Sequence, residues 1–121
     1  MSVIGFNDRN ITKDVWHIIT DGTQDAAITL ISIMNRSTDS CMFAMVFGEG
    51  ALAQGQSSVS GGDFLTADTH SFLWEDELVP SQGVYFDSSQ GGKILIPSGK
   101  KFAIAISGAG DLEINISGME I

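Results

Sequence analysis

The chain has 121 residues and a mass of 12.9 kDa, which fits a single domain built around one hydrophobic core. Its 15 acidic and 6 basic residues give a formal net charge of −9, a balance that disfavours nucleic acid and anionic membrane surfaces as partners. Cys41 is the only cysteine, so no disulfide can form within the chain, and a reducing compartment suits it.

Residues 1–13 are interpreted as an extended N-terminal arm or short edge strand, ahead of a β-sandwich domain at 14–121. The segment is mostly polar, and it has neither the basic nor the apolar region of a signal peptide. Arms of this kind often become ordered on a neighbouring subunit, which makes its apolar side chains candidate protein contacts. They are Val3, Ile4, Phe6 and Ile11.

Three strands are predicted in the next part of the chain. Residues 15–20 are rich in β-forming side chains and lead into a turn of Asp, Gly and Thr. Residues 26–35 alternate between two partly apolar faces. Residues 41–47 contain no polar residue, which indicates a central strand covered on both sides or a face that an oligomer buries.

A long segment, 48–67, is rich in Gly and Ser and has neither a helical nor a strand period. Loops beyond ~12–15 residues are uncommon in compact domains and are often functional. We therefore expect a contact loop here. Its apolar candidates for protein contacts are Leu52, Val59, Phe64 and Leu65.

The remaining chain predicts further short strands. Strand character resumes at 69–75, residues 76–83 break it, and 84–86 and 93–96 are short strands. In 101–121, large apolar residues alternate with small or polar ones on both sides of a Gly-Ala-Gly-Asp sequence, which predicts a C-terminal β-hairpin with one buried face.

About eight short strands separated by turns, without a credible helix, predict an all-β fold. An isolated hairpin is marginally stable in water, so a second layer of strands must cover its apolar face. We expect a single-domain antiparallel β-sandwich of the jelly-roll type.

No constellation in the sequence predicts catalysis, a cofactor or a metal. The sequence GEGALA at 48–53 matches GxGxxA, but no helix follows it and Glu49 would face the phosphates. His17 and His70 are single residues in strands, without metal-ligand spacing. We therefore expect no enzyme activity.

Two weaker alternatives involve carboxylates and aromatic rings. Acidic residues at 21–25 and 75–77 could hold calcium, although turn chemistry and solvated charge explain both. Aromatic side chains could stack on sugars in a lectin-like sandwich, which makes a carbohydrate-binding module using Trp74 and Tyr85 an alternative function.

Short sequences along most of 15–121 resemble small virion proteins of tailed bacteriophages. In those proteins a strand of alternating aliphatics ends in Asn-Arg-Ser, a strand leads into an acidic segment, and the C-terminus reads apolar, any residue, Gly, apolar, Glu. The corresponding sequences here are AITLISIMNRS at 27–37, FLWED at 72–76, LIPSGK at 95–100 and ISGMEI at 116–121.

This resemblance implies a β-sandwich virion protein, most simply a head decoration (cement) subunit, or else a neck or tail accessory protein. It implies the phage major capsid protein or other virion proteins as partners, and a capsid-exterior location after synthesis in the host cytoplasm. By analogy with jelly-roll decoration proteins, a homo-oligomer is expected, and specifically a trimer.

Overall fold

The computed structural model describes residues 2–49, 52–65 and 70–121, and these residues form eleven strands and one helical turn. Nine strands make two antiparallel sheets, and two short ones pair as a separate hairpin. In chain order the elements are β1 (Ser2–Asp8), β2 (His17–Thr20), β3 (Ala26–Asn35), β4 (Cys41–Gly48), β5 (Val59–Ser60), β6 (Asp63–Phe64), β7 (His70–Leu78), β8 (Gly83–Asp87), α1 (Ser88–Gly91), β9 (Ile94–Ile96), β10 (Lys101–Gly108) and β11 (Leu112–Glu120).

The two sheets have the topology of a jelly roll. The first sheet has the order β1-β11-β3-β8, with β9 pairing β3 beyond the end of β8, and the second has the order β2-β10-β4-β7. Most consecutive strands therefore lie in opposite sheets, as expected when a long antiparallel ribbon is rolled into two layers. The predicted all-β antiparallel sandwich is confirmed.

A main core fills the space between the sheets. Alternate side chains of the central strands point into it, because residues two apart on a strand share a face. Burying each large apolar side chain stabilises the fold by about 1.5–3 kcal/mol. The largest fully buried members are Ile28, Ile31, Ile33, Phe43, Met45, Leu78, Phe102, Ile104, Ile106 and Leu112.

A second, smaller core lies on the outer face of the second sheet. Small side chains of the central strands, including Ala103 and Ala105 of β10, form its floor, and Trp16 and Leu52 close over them. The backbone N–H of Trp16 donates to the Gln56 carbonyl at 2.8 Å, and the centres of the Trp16 and Phe64 rings lie 6.4 Å apart. We call residues 52–65 the cover.

The segment predicted as an irregular contact loop at 48–67 contains a short hairpin and side chains buried within the chain, and its role in protein contacts stays a prediction. Leu52 and Ser58 are fully buried, and β5 and β6 form a hairpin within the segment. The physical reason is that β10 buries both faces, so its alanine face needs apolar atoms above it. Residues 50, 51, 66 and 67 of the predicted loop lie outside the described residues.

The predicted C-terminal hairpin is wrong in its pairing. β10 pairs with β2 and β4, whereas β11 pairs with β1 and β3 in the opposite sheet. Alternation shows which face of a strand is buried but not which strand lies beside it. Two strands that face each other across a core have the same pattern as two neighbours in one sheet.

The N-terminal segment is an edge strand rather than a projecting arm. All seven residues of β1 pair with β11, from Ser2 opposite Glu120 to Asp8 opposite Ile114. Ile4 is buried in the main core, and Ile11, beyond the strand, is also buried there. The segment therefore belongs to the sandwich, and the boundary at residue 13 separates no independent unit.

Two local predictions are also corrected. β7 continues through Leu78 instead of ending before Asp76, because the Leu78 side chain is fully buried in the main core. The chain between β8 and β9 forms the helical turn α1, whose first turn is capped by the Asp87 carboxylate accepting from the Ser89 N–H.

A buried amide joins the connections at one end of the sandwich. The Asn35 side-chain nitrogen donates to the carbonyls of Asp39, at 2.8 Å, and Leu78, at 2.9 Å. Its oxygen accepts from the backbone N–H and hydroxyl of Ser37, and that hydroxyl in turn accepts from the Asp111 N–H at 3.1 Å. Every polar atom of the amide is satisfied, and three connections between the sheets meet here.

Asn35→Ala is expected to lower the free energy of unfolding by about 3 kcal/mol, because the buried Leu78 carbonyl and the partly buried Asp39 carbonyl lose their donor. Asn115→Ala, on the outer face of β11, is the matched control and should change it by less than about 0.5 kcal/mol. Urea unfolding monitored by circular dichroism measures both variants. Equal effects would contradict the role assigned to Asn35.

Gly118 of β11 lies beside a bulge in the pairing of β11 with β3. A Cβ at this position would overlap the carbonyl oxygen of Ala27 and lie 3.1 Å from the Ile28 Cα. Both contacts are backbone atoms of the neighbouring strand, so the strands would have to separate. This explains in physical terms the glycine in the C-terminal sequence ISGMEI.

Gly118→Ala should therefore destabilise the fold by about 2 kcal/mol through overpacking. Gly5→Ala is the control, since the nearest atom to a Cβ there is the Asn7 side-chain nitrogen at 3.8 Å. Thermal unfolding of the two variants at one low protein concentration tests this, and an unchanged midpoint for Gly118→Ala would refute it.

Candidate interaction surface

An apolar row crosses the outer face of the first sheet near one end. Val3 of β1 lies opposite Met119 of β11, Met119 opposite Ala27 of β3, and Ala27 opposite Leu95 of β9. Residues directly opposite on neighbouring strands share a face, so the four side chains form one line. We call this row the outer stripe.

Most of the outer stripe is exposed. Val3 is 86% exposed, Leu95 68% and Met119 39%, while Ala27 is covered. Ile121, which follows β11, is 67% exposed, and its backbone N–H donates to the Asp25 carbonyl at 2.8 Å. Beside the stripe lies an open groove of about 380 Å³, lined by Asp25, Ala26, Leu95, Ile96, Pro97 and Ile121.

The other outward rows of this sheet mix polar residues with half-buried apolar ones. The next row contains Gly5, Ser117, Leu30 and Asp87, and the row after it contains Asn7, Asn115, Ser32 and Tyr85. The exposed aliphatic side chains of this face are therefore concentrated in one row. Large apolar side chains exposed side by side are typical of surfaces that contact another molecule.

The eight residues predicted as protein contacts are divided by the structure. Ile4, Ile11 and Leu52 are buried within the chain and contribute to its cores. Phe6, Val59 and Phe64 are half-buried, and Phe6 and Phe64 pack against the cores. Only Val3 and Leu65 are exposed, and of these Val3 lies in the outer stripe.

Sequence reasoning missed Leu95, Met119 and Ile121 as candidates for contact. Leu95 lies in the strand predicted at 93–96, and Met119 and Ile121 lie in the hairpin predicted at 101–121. The strand period contained a signal: Ile94 and Ile96 both face the main core, so Leu95 between them must point outward.

The residues considered for chemistry have ordinary structural partners. The His17 Nε2 lies 2.8 Å from the Thr12 carbonyl, and its Nδ1 lies 3.4 Å from the Gln54 side-chain nitrogen. Glu49, in the sequence that resembles a dinucleotide fingerprint, pairs with Lys100 at 2.9 Å. Gly50 and Ala51 of that sequence lie outside the described residues.

The acidic turns are explained by local hydrogen bonds. The Asp21 carboxylate accepts from the hydroxyl of Thr23 at 2.7 Å and from its N–H at 3.1 Å, and these bonds lower the pKa of Asp21. Asp25 accepts from the Ser98 N–H at 2.7 Å. Within 2–49, 52–65 and 70–121, no three His, Cys, Asp or Glu side chains are arranged to hold a metal ion.

The aromatic side chains do not form one platform. Trp16 is buried beneath the cover, whereas Trp74 is half-buried and packs edge-on against Phe43 of the main core at 5.7 Å. Tyr85 is 58% exposed on the other sheet, where its hydroxyl donates to Asp87 at 2.9 Å and its pKa is raised by that bond. Trp74 and Tyr85 therefore cannot stack on one sugar together.

Cys41 is buried at the start of β4. Its thiol donates to the Ser107 carbonyl at 3.2 Å, and burial raises the pKa of the thiol above its ordinary value. A protonated, inaccessible thiol is a poor nucleophile, so the residue acts as a small core side chain.

No helix in the part of the chain that the structure describes has the length and apolar character of a membrane span.

No family model and no curated protein matches the sequence. Among solved structures, the chain is similar to one in the crystal structure of the T13 IBDV viral particle, with a TM-score of 0.42 and 8% sequence identity. The likeness covers 99% of this chain and 29% of that chain, so this chain spans less than a third of that protein's length. A likeness this weak carries no argument about function.

Cys41 should resist thiol reagents at pH 8 in the folded protein and react at once in denaturant. Because its pKa is raised in the folded state, the unfolded chain releases the proton first as pH rises. The contribution of this thiol to the free energy of unfolding is therefore fully present below the pKa that the thiol has in the unfolded chain. It is lost as the pH rises through the higher pKa of the folded protein. Cys41→Ala should flatten that alkaline loss in denaturant titrations, and an unchanged pH profile would contradict the account.

Proposed function

We propose that this chain is a structural protein of a tailed-phage virion, most simply a decoration subunit that binds the major capsid protein lattice and stabilises the head. The observation that carries the proposal is the outer stripe, the row that holds the exposed aliphatic side chains of that sheet face. The sequences at 27–37, 72–76, 95–100 and 116–121 that resemble phage virion proteins supply the class of partner. No catalytic step is part of the proposed role.

The charge of the chain supports a partner with basic residues around the contact. Of the six cations, Lys13, Arg36 and Lys100 each pair with a carboxylate within the chain. Lys101 donates to the Leu52 carbonyl at 2.8 Å and helps to hold the cover. The remaining acidic surface, with a net charge of −9 for the chain, would be attracted to a positively charged protein surface.

A neck or tail accessory role uses the same surface and differs in where the partner is located. A carbohydrate-binding role is not favoured, because Trp74 packs against the main core from one sheet and Tyr85 lies on the other sheet. The jelly-roll topology does not distinguish these roles, because it occurs both in viral capsid proteins and in lectins.

The test is binding of the purified protein to particles of the encoding phage that lack it. Leu95→Gln combined with Met119→Gln should weaken binding about 100-fold, since each side chain buried in a contact contributes about 1.5–3 kcal/mol. Tyr85→Gln is the matched control, because Tyr85 is exposed on the same sheet face two rows away and should leave binding unchanged.

Immunogold labelling of intact virions locates the protein. Labelling over the head is the expected result, and labelling restricted to the neck or tail would replace the decoration role with the accessory one. Absence from virions, or full binding by the Leu95 and Met119 double variant, would overturn the proposal.

A further inference from the structure

We propose that the free edge of β1 pairs with β1 of a second copy of this chain, with Gly5 on the two-fold axis. The first sheets of the two copies would then join into one continuous antiparallel sheet. This inference comes from the edge strand itself and does not depend on the proposed role in a virion.

β1 is the bare edge among those that the described residues form. The β2 edge is covered, because the Ile18 N–H donates to the Gln54 side chain at 2.8 Å. The β7 edge carries exposed carboxylates at 75–77, and the Glu77 N–H is taken by Asp76 at 2.8 Å. Charged side chains and covering segments are the usual protection of sheet edges against pairing.

The opposite edge of the first sheet is short. It is divided by α1 into β8, with five residues, and β9, with three. β1 has seven residues, and none of its first six is Lys, Arg, Pro, Asp or Glu. A long edge without these protecting residues presents unpaired backbone groups to any strand that can lie beside it.

The side chains of β1 are arranged symmetrically about Gly5. Ile4 and Phe6 face the main core, and Val3 and Asn7 lie on the outer face. Antiparallel pairing with Gly5 opposite Gly5 places Val3 opposite Asn7 and Ile4 opposite Phe6. Residues of the outer face then pair with residues of the outer face, and core-facing residues pair with core-facing residues. It also pairs all seven residues, from Ser2 opposite Asp8 onward.

This register would complete the burial of a core side chain. Phe6 is half-buried at the margin of the main core, where the sheet ends. Directly opposite side chains on one face lie ~5 Å apart, so Ile4 of the second copy would cover the Phe6 ring. The apolar contact is repeated by symmetry on the other side of the axis.

The geometry favours two copies over the trimer expected by analogy. A closed ring needs two different surfaces that fit each other, whereas β1 is the long bare edge and fits itself. The net charge of −9 on each copy opposes association, so the dimer should strengthen as salt screens the repulsion. Attraction to a basic partner would have the opposite salt dependence.

Cysteine cross-linking of the full chain tests the register. Cα atoms of opposite residues lie ~5 Å apart, within the range of a disulfide, so Gly5→Cys should form a covalent dimer under mild oxidation. Val3→Cys alone should not, since two copies of Val3 would be offset by four residues, ~13 Å. A mixture of Val3→Cys and Asn7→Cys should give the mixed dimer.

Leu95→Cys is the control that measures the rate of cross-linking through random collisions, because Leu95 is exposed but lies away from β1. The native Cys41 is buried and adds no accessible thiol. Cross-linking of Gly5→Cys no faster than Leu95→Cys would overturn the proposal. So would preferential cross-linking of Val3→Cys to itself, or formation of trimers.

Sedimentation of the unmodified chain measures the association without cross-linking. The average mass should rise with concentration from 12.9 kDa towards twice that value, and more steeply at high salt. Gly5→Asp sets two carboxylates face to face on the axis and should lower the association constant about tenfold at low salt. Asn115→Asp adds the same charge to the same face away from the edge and should have no effect.

Both aspartate variants are checked for an unchanged circular dichroism spectrum, since position 5 has room for a side chain. A mass of 12.9 kDa at every concentration and salt would overturn the proposal, as would equal association by Gly5→Asp and Asn115→Asp.

Discussion

The amide of Asn35 joins the end of the sandwich at which the chain repeatedly crosses between its sheets. A jelly roll places consecutive strands in opposite layers, so its connections carry backbone polar groups over the rim of an apolar core. Those groups must be satisfied without water, because an unpaired buried carbonyl costs about 1–3 kcal/mol. Asn35 gives two donors and accepts twice, and Ser37 extends the same network to Asp111. The connections are thereby held in one arrangement, which keeps the two apolar faces in register.

The second sheet depends on a different device. Its central strand β10 alternates large and small side chains, so it can be buried on both faces only if something closes over the alanines. The cover does this with Leu52 and Phe64 while Trp16 comes from the chain just before β2. The cover also occupies the β2 edge through Gln54. One segment therefore satisfies an apolar face and a row of backbone groups together, and it leaves the first sheet as the layer with an open face and an open edge.

Much of the fold could be read from alternation. The strand at 26–35 was predicted with the bounds of β3, and those at 41–47, 84–86 and 93–96 were correct to within one residue at either end. Alternation has period two and shows which side of a strand is buried, but it is silent about partners, which explains the error at 101–121. The cover was missed for a related reason. Its contacts depend on distant alanines, and its own sequence has no period, so nothing local in 48–67 shows that Leu52 is buried.

The two tryptophans occupy different cores. Trp16 lies under the cover, whereas Trp74 meets Phe43 between the sheets. Indole emission depends on local contact with water, so each ring reports on one region without any added label. Replacing Trp74 with Phe would leave Trp16 as the single indole, so the fluorescence would report on the region beneath the cover. The rate at which the cover opens could then be compared with the rate at which the sandwich unfolds. Equal or different rates would show whether the molecule unfolds in one step or in two.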